Sequence, residues 1–200
     1  MVYYIAGYGL KIFLSIFGFL KVKHKEKLPE NEGFVIACTH TGWVDILWLG
    51  ISILPLKIHY MAKKELFESG FLNWLMNALN AFPVDRENPG PSSIKTPVRL
   101  IKSGEIVGVF PSGTRTSEDV PLKRGAVTIA SHAKCKIVPA AYDGPNNFKE
   151  LLKWKRPNVI FGEPIQINNE LPKKERLDAM AEELNISMKG LQQQLQASQK

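Results

Sequence analysis

Two hundred residues, 44% hydrophobic and 22% charged, suit one globular domain with a proper core, and exclude a disordered or repeat-built chain. Lys plus Arg exceed Asp plus Glu by 26 to 19, a net charge of +7 that points to an anionic partner: nucleic acid, anionic lipid or an acidic carrier protein. The two cysteines, Cys38 and Cys135, make neither a metal spacing nor a disulfide framework. Both sit in apolar runs where a free thiol is a small buried hydrophobe, as in a reducing, cytosolic-side environment.

The chain opens with MVYYIAGYGLKIFLSIFGFL, its most hydrophobic stretch. As a helix these residues would run about 30 Å, enough to cross a bilayer. Lys11, however, lies at the middle, where a charge is costly. Gly7, Lys11, Ser15 and Gly18 recur at helical spacing, so small and polar residues share one stripe. A secretory signal is disfavoured by the uncharged N-terminus and the lack of a small-residue cleavage site. The expectation is a membrane-associating helix over residues 1–22, embedded in one leaflet with its lysines on the anionic surface. A single-pass span is the alternative, with Lys21, Lys23, Lys25 and Lys27 holding the rest on the cytoplasmic side. Either arrangement puts the protein at the cytoplasmic face of the cell membrane; a buried core helix is the plain structural account.

Residues 23–200 then read as one domain. GFVIAC (33–38) has the composition of a buried strand, and VDILWLGISIL (44–54) that of an apolar helix stopped by Pro55. KIHYMA (57–62) is a strand, residues 64–79 a helix, and AFPV (81–84) another short strand. ENPGPSS is a turn, and a helix follows over IKTPVRLIKSG despite Pro97. EIVGVF (105–110) is a strand, GAVTIASHA (125–133) a helix, KIVPAAY (136–142) a strand, and NVIFGEPI (158–165) the last. From about 172 to 198 a helix presents Leu177, Met180, Leu184, Met188, Leu191 and Leu195 on one face, which docks on the domain. The alternation predicts an α/β fold: a mixed, largely parallel sheet flanked by helices. In such sheets, sites gather where strands end and helices begin.

His40 and Asp45, in THTGWVDILWLG, fall at one such point. The plain account is a histidine ending a strand and an aspartate favoured in a helix's first turn. The functional one puts His40 in the loop before the helix. Asp45 would then hold one ring nitrogen and leave the other to take a proton, the base-and-orienter arrangement. No G-x-S-x-G nucleophile elbow is present, so such a base would activate the substrate's own hydroxyl. Cys38, two residues earlier, is the alternative nucleophile, although apolar neighbours raise a thiol pKa.

VFPSGTRTSED (109–119) follows a strand with a hydroxyl-rich turn. Backbone N–H groups around Ser112, Gly113 and Thr114, with Arg115, suit an anion, although this is not a Walker loop. FPVDREN supplies Arg86, MAKKELF supplies Lys63 and Lys64, and PLKRGA supplies Lys123 and Arg124. Each alone is equally a solvated surface charge. Nucleic acid is disfavoured as the partner, because the cations are dispersed and no HTH, RRM, KH or zinc signature appears.

Taken in order, H-x-x-x-x-D (His40 to Asp45), FPVDR, FPSGTR and IVPAAY resemble the PlsC-type glycerolipid acyltransferases over about residues 30–165. The resemblance implies transfer of a fatty acyl group from a thioester to the 2-hydroxyl of lysophosphatidate, giving phosphatidate. It makes His40 the general base and Asp45 its orienting partner. Arg86, Ser112, Gly113, Thr114 and Arg115 would meet the acceptor's phosphate region, with Lys63 in a similar role. The implied partners are lysophosphatidate, an acyl carrier protein or CoA thioester, and the anionic membrane surface; no metal or cofactor is implied. One position departs: the family's FPEGTR reads FPSGTR here, so Ser112 stands where the usual glutamate would. Another lysolipid acceptor, or a catalytically silent lipid-binding relative, is the alternative.

Overall fold

The computed structural model describes residues 2–16, 18–40, 42–85, 88, 90–111, 124–153, 156–167 and 170–198. In chain order, α1 (Val2–Ser15) is followed by β1 (Lys21–Lys23), β2 (Val35–Cys38), α2 (Val44–Ser52) and β3 (Ile58–Lys63). Next come α3 (Gly70–Ala78), β4 (Ala81–Val84), α4 (Ser92–Lys102), β5 (Ile106–Val109) and α5 (Gly125–Ala133). The chain closes with β6 (Ile137–Asp143), α6 (Phe148–Leu151), β7 (Asn158–Phe161) and α7 (Lys173–Ala197).

The strands form one seven-stranded sheet in the order β1-β7-β6-β2-β5-β3-β4. Every pairing is parallel except β6 with β7. The sheet is therefore mixed and largely parallel, with helices on both faces. Central strands buried on both sides need apolar residues at every position, and VIAC of β2 and IVGV of β5 are buried throughout. Ile36 and Cys38 pack with Trp48 and Leu49 of α2 on one face. Val35, Ala37, Val107 and Val109 pack with α5 and α7 on the other. Each fully buried aliphatic or aromatic side chain in these layers contributes about 1.5–3 kcal/mol relative to exposure.

Chain travel explains where the sheet opens. From β2 the chain crosses through α2 to β3 and on to β4; through α4 and α5 it then returns to β5 and β6. α2 lies on one face and α4 and α5 on the other, as right-handed crossovers require when the direction of travel reverses. The neighbouring strands β2 and β5 thus send their following segments to opposite faces. A crevice opens at their carboxyl ends.

Four elements differ from expectation. The helix expected over 64–79 is a 3-10 turn, Lys64–Phe67, followed by α3, because Ser69 and Gly70 interrupt it. The lysine cluster after α1 supplies the short edge strand β1 beside β7, where charged residues face solvent without penalty. α6 carries too few residues to show a period. The N-terminal helix covers 14 residues, about 21 Å, short of a bilayer's hydrocarbon core. Among the described residues no helix is long and apolar enough to cross a membrane. Tyr3, Leu10 and Leu14 face the core, and Gly7 lets α1 approach Leu54, where an added Cβ would stand 3.3 Å from its side chain. α7 lies across β6, β7 and α5, burying Met180, Leu184, Met188, Leu191 and Leu195.

Candidate active site

β2 delivers His40 to the crevice. Its end is pinned to β6: the Thr39 N–H donates to the Ala140 carbonyl at 3.3 Å, and the Tyr142 N–H donates to Thr39 Oγ1 at 3.0 Å. The chain leaves the sheet at His40, turns through Gly42 and enters α2 at Val44. Asp45 sits in the first turn, where the helix dipole favours a carboxylate.

The two side chains meet. His40 Nδ1 lies 3.1 Å from Asp45 Oδ1 and 3.2 Å from Oδ2, and the Gly42 N–H donates to Oδ2 at 3.0 Å. Asp45 is fully buried, and the His40 side chain is 9% exposed. A carboxylate only accepts, so this contact fixes the proton on Nδ1 and leaves Nε2 of the neutral ring as an acceptor. Gly42 has its own reason to be glycine. A Cβ there would stand 2.0 Å from the Asn146 carbonyl oxygen, in the loop after β6.

A cleft of about 610 Å³ opens beside the histidine. His40 and Phe110 border it, with Met61 of β3, Val84 and Asp85 at the end of β4, and the first residues of α4 and α5. Its lining is mostly apolar, as a hydrocarbon-bearing ligand requires. The N-termini of α4 and α5 bring their positive ends to this opening. Phe110 packs its ring 4.5 Å from the His40 ring and 6.1 Å from that of Tyr60. The Tyr60 hydroxyl, in turn, donates to the Ile46 carbonyl at 2.8 Å. Gly108 makes room for this wall, since a Cβ would come within 2.8 Å of Ile58 and Tyr60. Phe110, Tyr60 and Gly42 were not singled out by sequence reasoning. Only Phe110, two residues from Ser112 in FPSGTR, carried a signal by its position.

Cys38 is fully buried in the core beneath α2. Burial, with the Asp45 charge nearby, pushes its thiol far above the ordinary range, which removes it as a nucleophile. Lys63 ends β3 half-exposed and pairs with Glu65 at 3.3 Å. Its neighbour Lys64 pairs with the cleft residue Asp85 at 2.6 Å. Arg86, Ser112, Gly113, Thr114 and Arg115 lie outside the described residues, as does Lys123. Among the described residues no cluster of three or more His, Cys, Asp or Glu offers a metal site.

A family model described as Acyltransferase matches residues 19–143, a span that holds His40, Asp45 and the cleft-lining strands. The chain belongs to the acyltransferase family. It is 60% identical over 189 residues to the 1-acyl-sn-glycerol-3-phosphate acyltransferase of Bacillus subtilis (strain 168), covering 94% of this chain and 95% of that one. The enzyme of the same name from Streptococcus pneumoniae (strain ATCC BAA-255 / R6) is 37% identical over 168 residues, or 83% of this chain and 63% of that one. In structure the chain resembles the crystal structure of the 1-acyl-sn-glycerophosphate (LPA) acyltransferase, PlsC, from Thermotoga maritima. That likeness has a TM-score of 0.67 at 19% identity, over 94% of this chain and 80% of that one, and it is a likeness of fold. β7 and α7 lie beyond the matched family span, and both belong to the same sheet-and-helix body.

Proposed function

We propose that this acyltransferase moves a fatty acyl group from a thioester to the 2-hydroxyl of 1-acyl-sn-glycerol-3-phosphate, giving phosphatidate. The observation that carries the reading is the His40–Asp45 pair, set at an apolar cleft in a chain 60% identical to an enzyme of that name.

The geometry supplies the steps. Nε2 of His40 takes the proton of the acceptor hydroxyl as its oxygen attacks the thioester carbonyl. Asp45 stabilises the imidazolium that forms, as an ionised partner fixed on Nδ1 does. The tetrahedral oxyanion collapses, the C–S bond breaks, and the departing thiolate takes the proton back from His40. Ester and free thiol leave, with atoms and charge balanced. Acid–base catalysis supplies roughly 10²–10⁴-fold, so orientation and oxyanion stabilisation provide the remainder.

The acceptor phosphate is assigned, on the motif match, to Arg86, Ser112, Gly113, Thr114 and Arg115, with Lys63 as a further cation. Ser112 offers a hydroxyl where the family glutamate would offer charge, so the headgroup contact here is made without that carboxylate. The donor is acyl carrier protein or CoA thioester; both are anionic and suit a chain of net charge +7. α1 rests in the cytoplasmic leaflet as a monotopic element, since its outward residues Ile5, Ile12 and Phe13 are exposed and apolar.

The test is a headgroup and donor panel. Purified full-length protein receives lysophosphatidate, lysophosphatidylglycerol or lysophosphatidylcholine in vesicles, with acyl-carrier-protein or acyl-CoA donors. Phosphatidate as the dominant product supports the reading. Transfer confined to another headgroup, or none with either donor, overturns it.

A further inference from the structure

Helix α3 fits neither a core nor a water-facing surface. Its nine residues, GFLNWLMNA, carry no charge, and none is buried although six are apolar. Phe71 is 70% and Trp74 61% exposed, with their rings 6.2 Å apart. A packed helix would bury that apolar surface, and a solvated one would dilute it with charge.

α1 shows the same pattern beside it. One of its faces packs on the core, while Ile5, Tyr8, Ile12 and Phe13, with Ile16 just after the helix, stay exposed. The two helices touch. In the turn before α3 the charges balance, Lys63 pairing with Glu65 at 3.3 Å and Lys64 with Asp85 at 2.6 Å, and Glu68 follows. The charge beside α1 is positive: the helix carries Lys11 and no acidic residue, and Lys57 stands 5.4 Å over the Tyr4 ring. Lys25 joins them, its ammonium donating at 2.6 Å to the carbonyl of Leu54, whose side chain packs at Gly7 of α1. Apolar aromatic surface bordered by lysines is complementary to an anionic leaflet. As an isolated dimer patch it is small, because nine helical residues span only about 14 Å.

Position in the fold adds a reason. α3 joins β3 to β4, and Met61 of the first strand with Val84 and Asp85 at the end of the second line the active-site cleft.

We propose that α3 is a second membrane-contact element, in which Phe71 and Trp74 enter the headgroup–acyl boundary of an anionic leaflet beside α1 and hold the cleft mouth against it. The proposal deepens the reading of the acceptor as a bilayer lysolipid and rests on it for its purpose, though not for its detection.

The test uses full-length protein and anionic phosphatidylglycerol vesicles, with and without brominated acyl chains. The Trp74 fluorescence, taken as wild type minus Trp74→Phe, is quenched by the brominated vesicles. The double variant Phe71→Ser/Trp74→Ser sediments with vesicles at least tenfold more weakly than wild type, a lower bound for two aromatic side chains that the interface buries only in part. Its turnover on a monomeric short-chain lysophosphatidate stays within about twofold of wild type, as for a surface change away from the site, which shows that it is folded. On vesicle-borne lysophosphatidate that turnover falls at least tenfold, in line with the lost binding. Three outcomes overturn the proposal: an unquenched Trp74 on vesicle-bound protein, unchanged sedimentation of the double variant, or a wild-type dimer in solution that the double variant abolishes. Quenching of Trp74 without transfer to any lysolipid would leave α3 in the leaflet and overturn the acyl-transfer reading instead.

Discussion

Thr39 Oγ1 donates a hydrogen bond to Gln192 Oε1 at 3.3 Å while accepting one from the Tyr142 N–H at 3.0 Å. The residue before His40 is thus held by β6 and by a helix that starts more than 130 residues later. Thr39→Val keeps the shape and removes both bonds, leaving the Tyr142 N–H unsatisfied, a loss of about 1–3 kcal/mol. Turnover falls more than KM rises, because the His40 position moves while the cleft remains. Gln192→Ala leaves the Tyr142 bond in place and costs about 1 kcal/mol or less. Thermal melts and steady-state kinetics on both variants check the ordering.

Asp45→Asn preserves volume and removes the acceptor that fixes the His40 proton. Turnover is expected to fall roughly 10³–10⁴-fold, as when an orienting carboxylate is replaced by an amide that admits the wrong tautomer. The Gly42 N–H keeps an acceptor if the amide oxygen faces it, so the folded state persists. Circular dichroism and single-turnover transfer, run together, separate loss of chemistry from loss of structure.

Gly42→Ala tests the turn itself. The new Cβ would stand 2.0 Å from the Asn146 carbonyl oxygen, a backbone atom that cannot swing aside. The turn must shift, carrying the Gly42 N–H away from Asp45. An unfolding cost of about 1–3 kcal/mol and at least a tenfold loss of turnover are expected. Urea denaturation and kinetics on the purified variant read both.

The buried thiols set an alkaline limit. Burial raises Cys135 from the ordinary value of 9.0 to about 11, and Cys38 still further. Both are neutral in folded and unfolded chains below pH 9. Above it the unfolded chain ionises first, so stability falls as pH rises from 9 and, for Cys135, levels off beyond about 11. Cys38→Ala flattens the melting temperature between these limits relative to wild type. It also leaves acyl transfer within about threefold of wild type, since the thiol takes no part in the chemistry.

Much of this architecture was legible because strong local signals agreed with the fold. The apolar runs of β2, β5 and β6 are buried on both faces, so every residue declares the strand. His40 and Asp45 stood out as polar residues in an apolar segment, and the strand-to-helix boundary between them told how they could meet. β1 was hidden because its lysines satisfy solvent, and what makes KVK a strand is its neighbour β7, which sequence order places far away. α3 was read as part of a longer helix because Ser69 and Gly70 weaken a helical run without abolishing its period. The Phe110–His40 contact depends on β2 and β5 being adjacent, a fact of topology that no spacing along the chain contains.

The central claim is that His40 is the base. The measurement is phosphatidate formation from lysophosphatidate in anionic vesicles with acyl-carrier-protein and acyl-CoA donors, for wild type, Cys38→Ala and His40→Ala, each with a melting curve. The account predicts product from the first two and, from a folded His40→Ala, a rate lower by roughly 10²–10⁴-fold. A folded His40→Ala that turns over within a few-fold of wild type would contradict it.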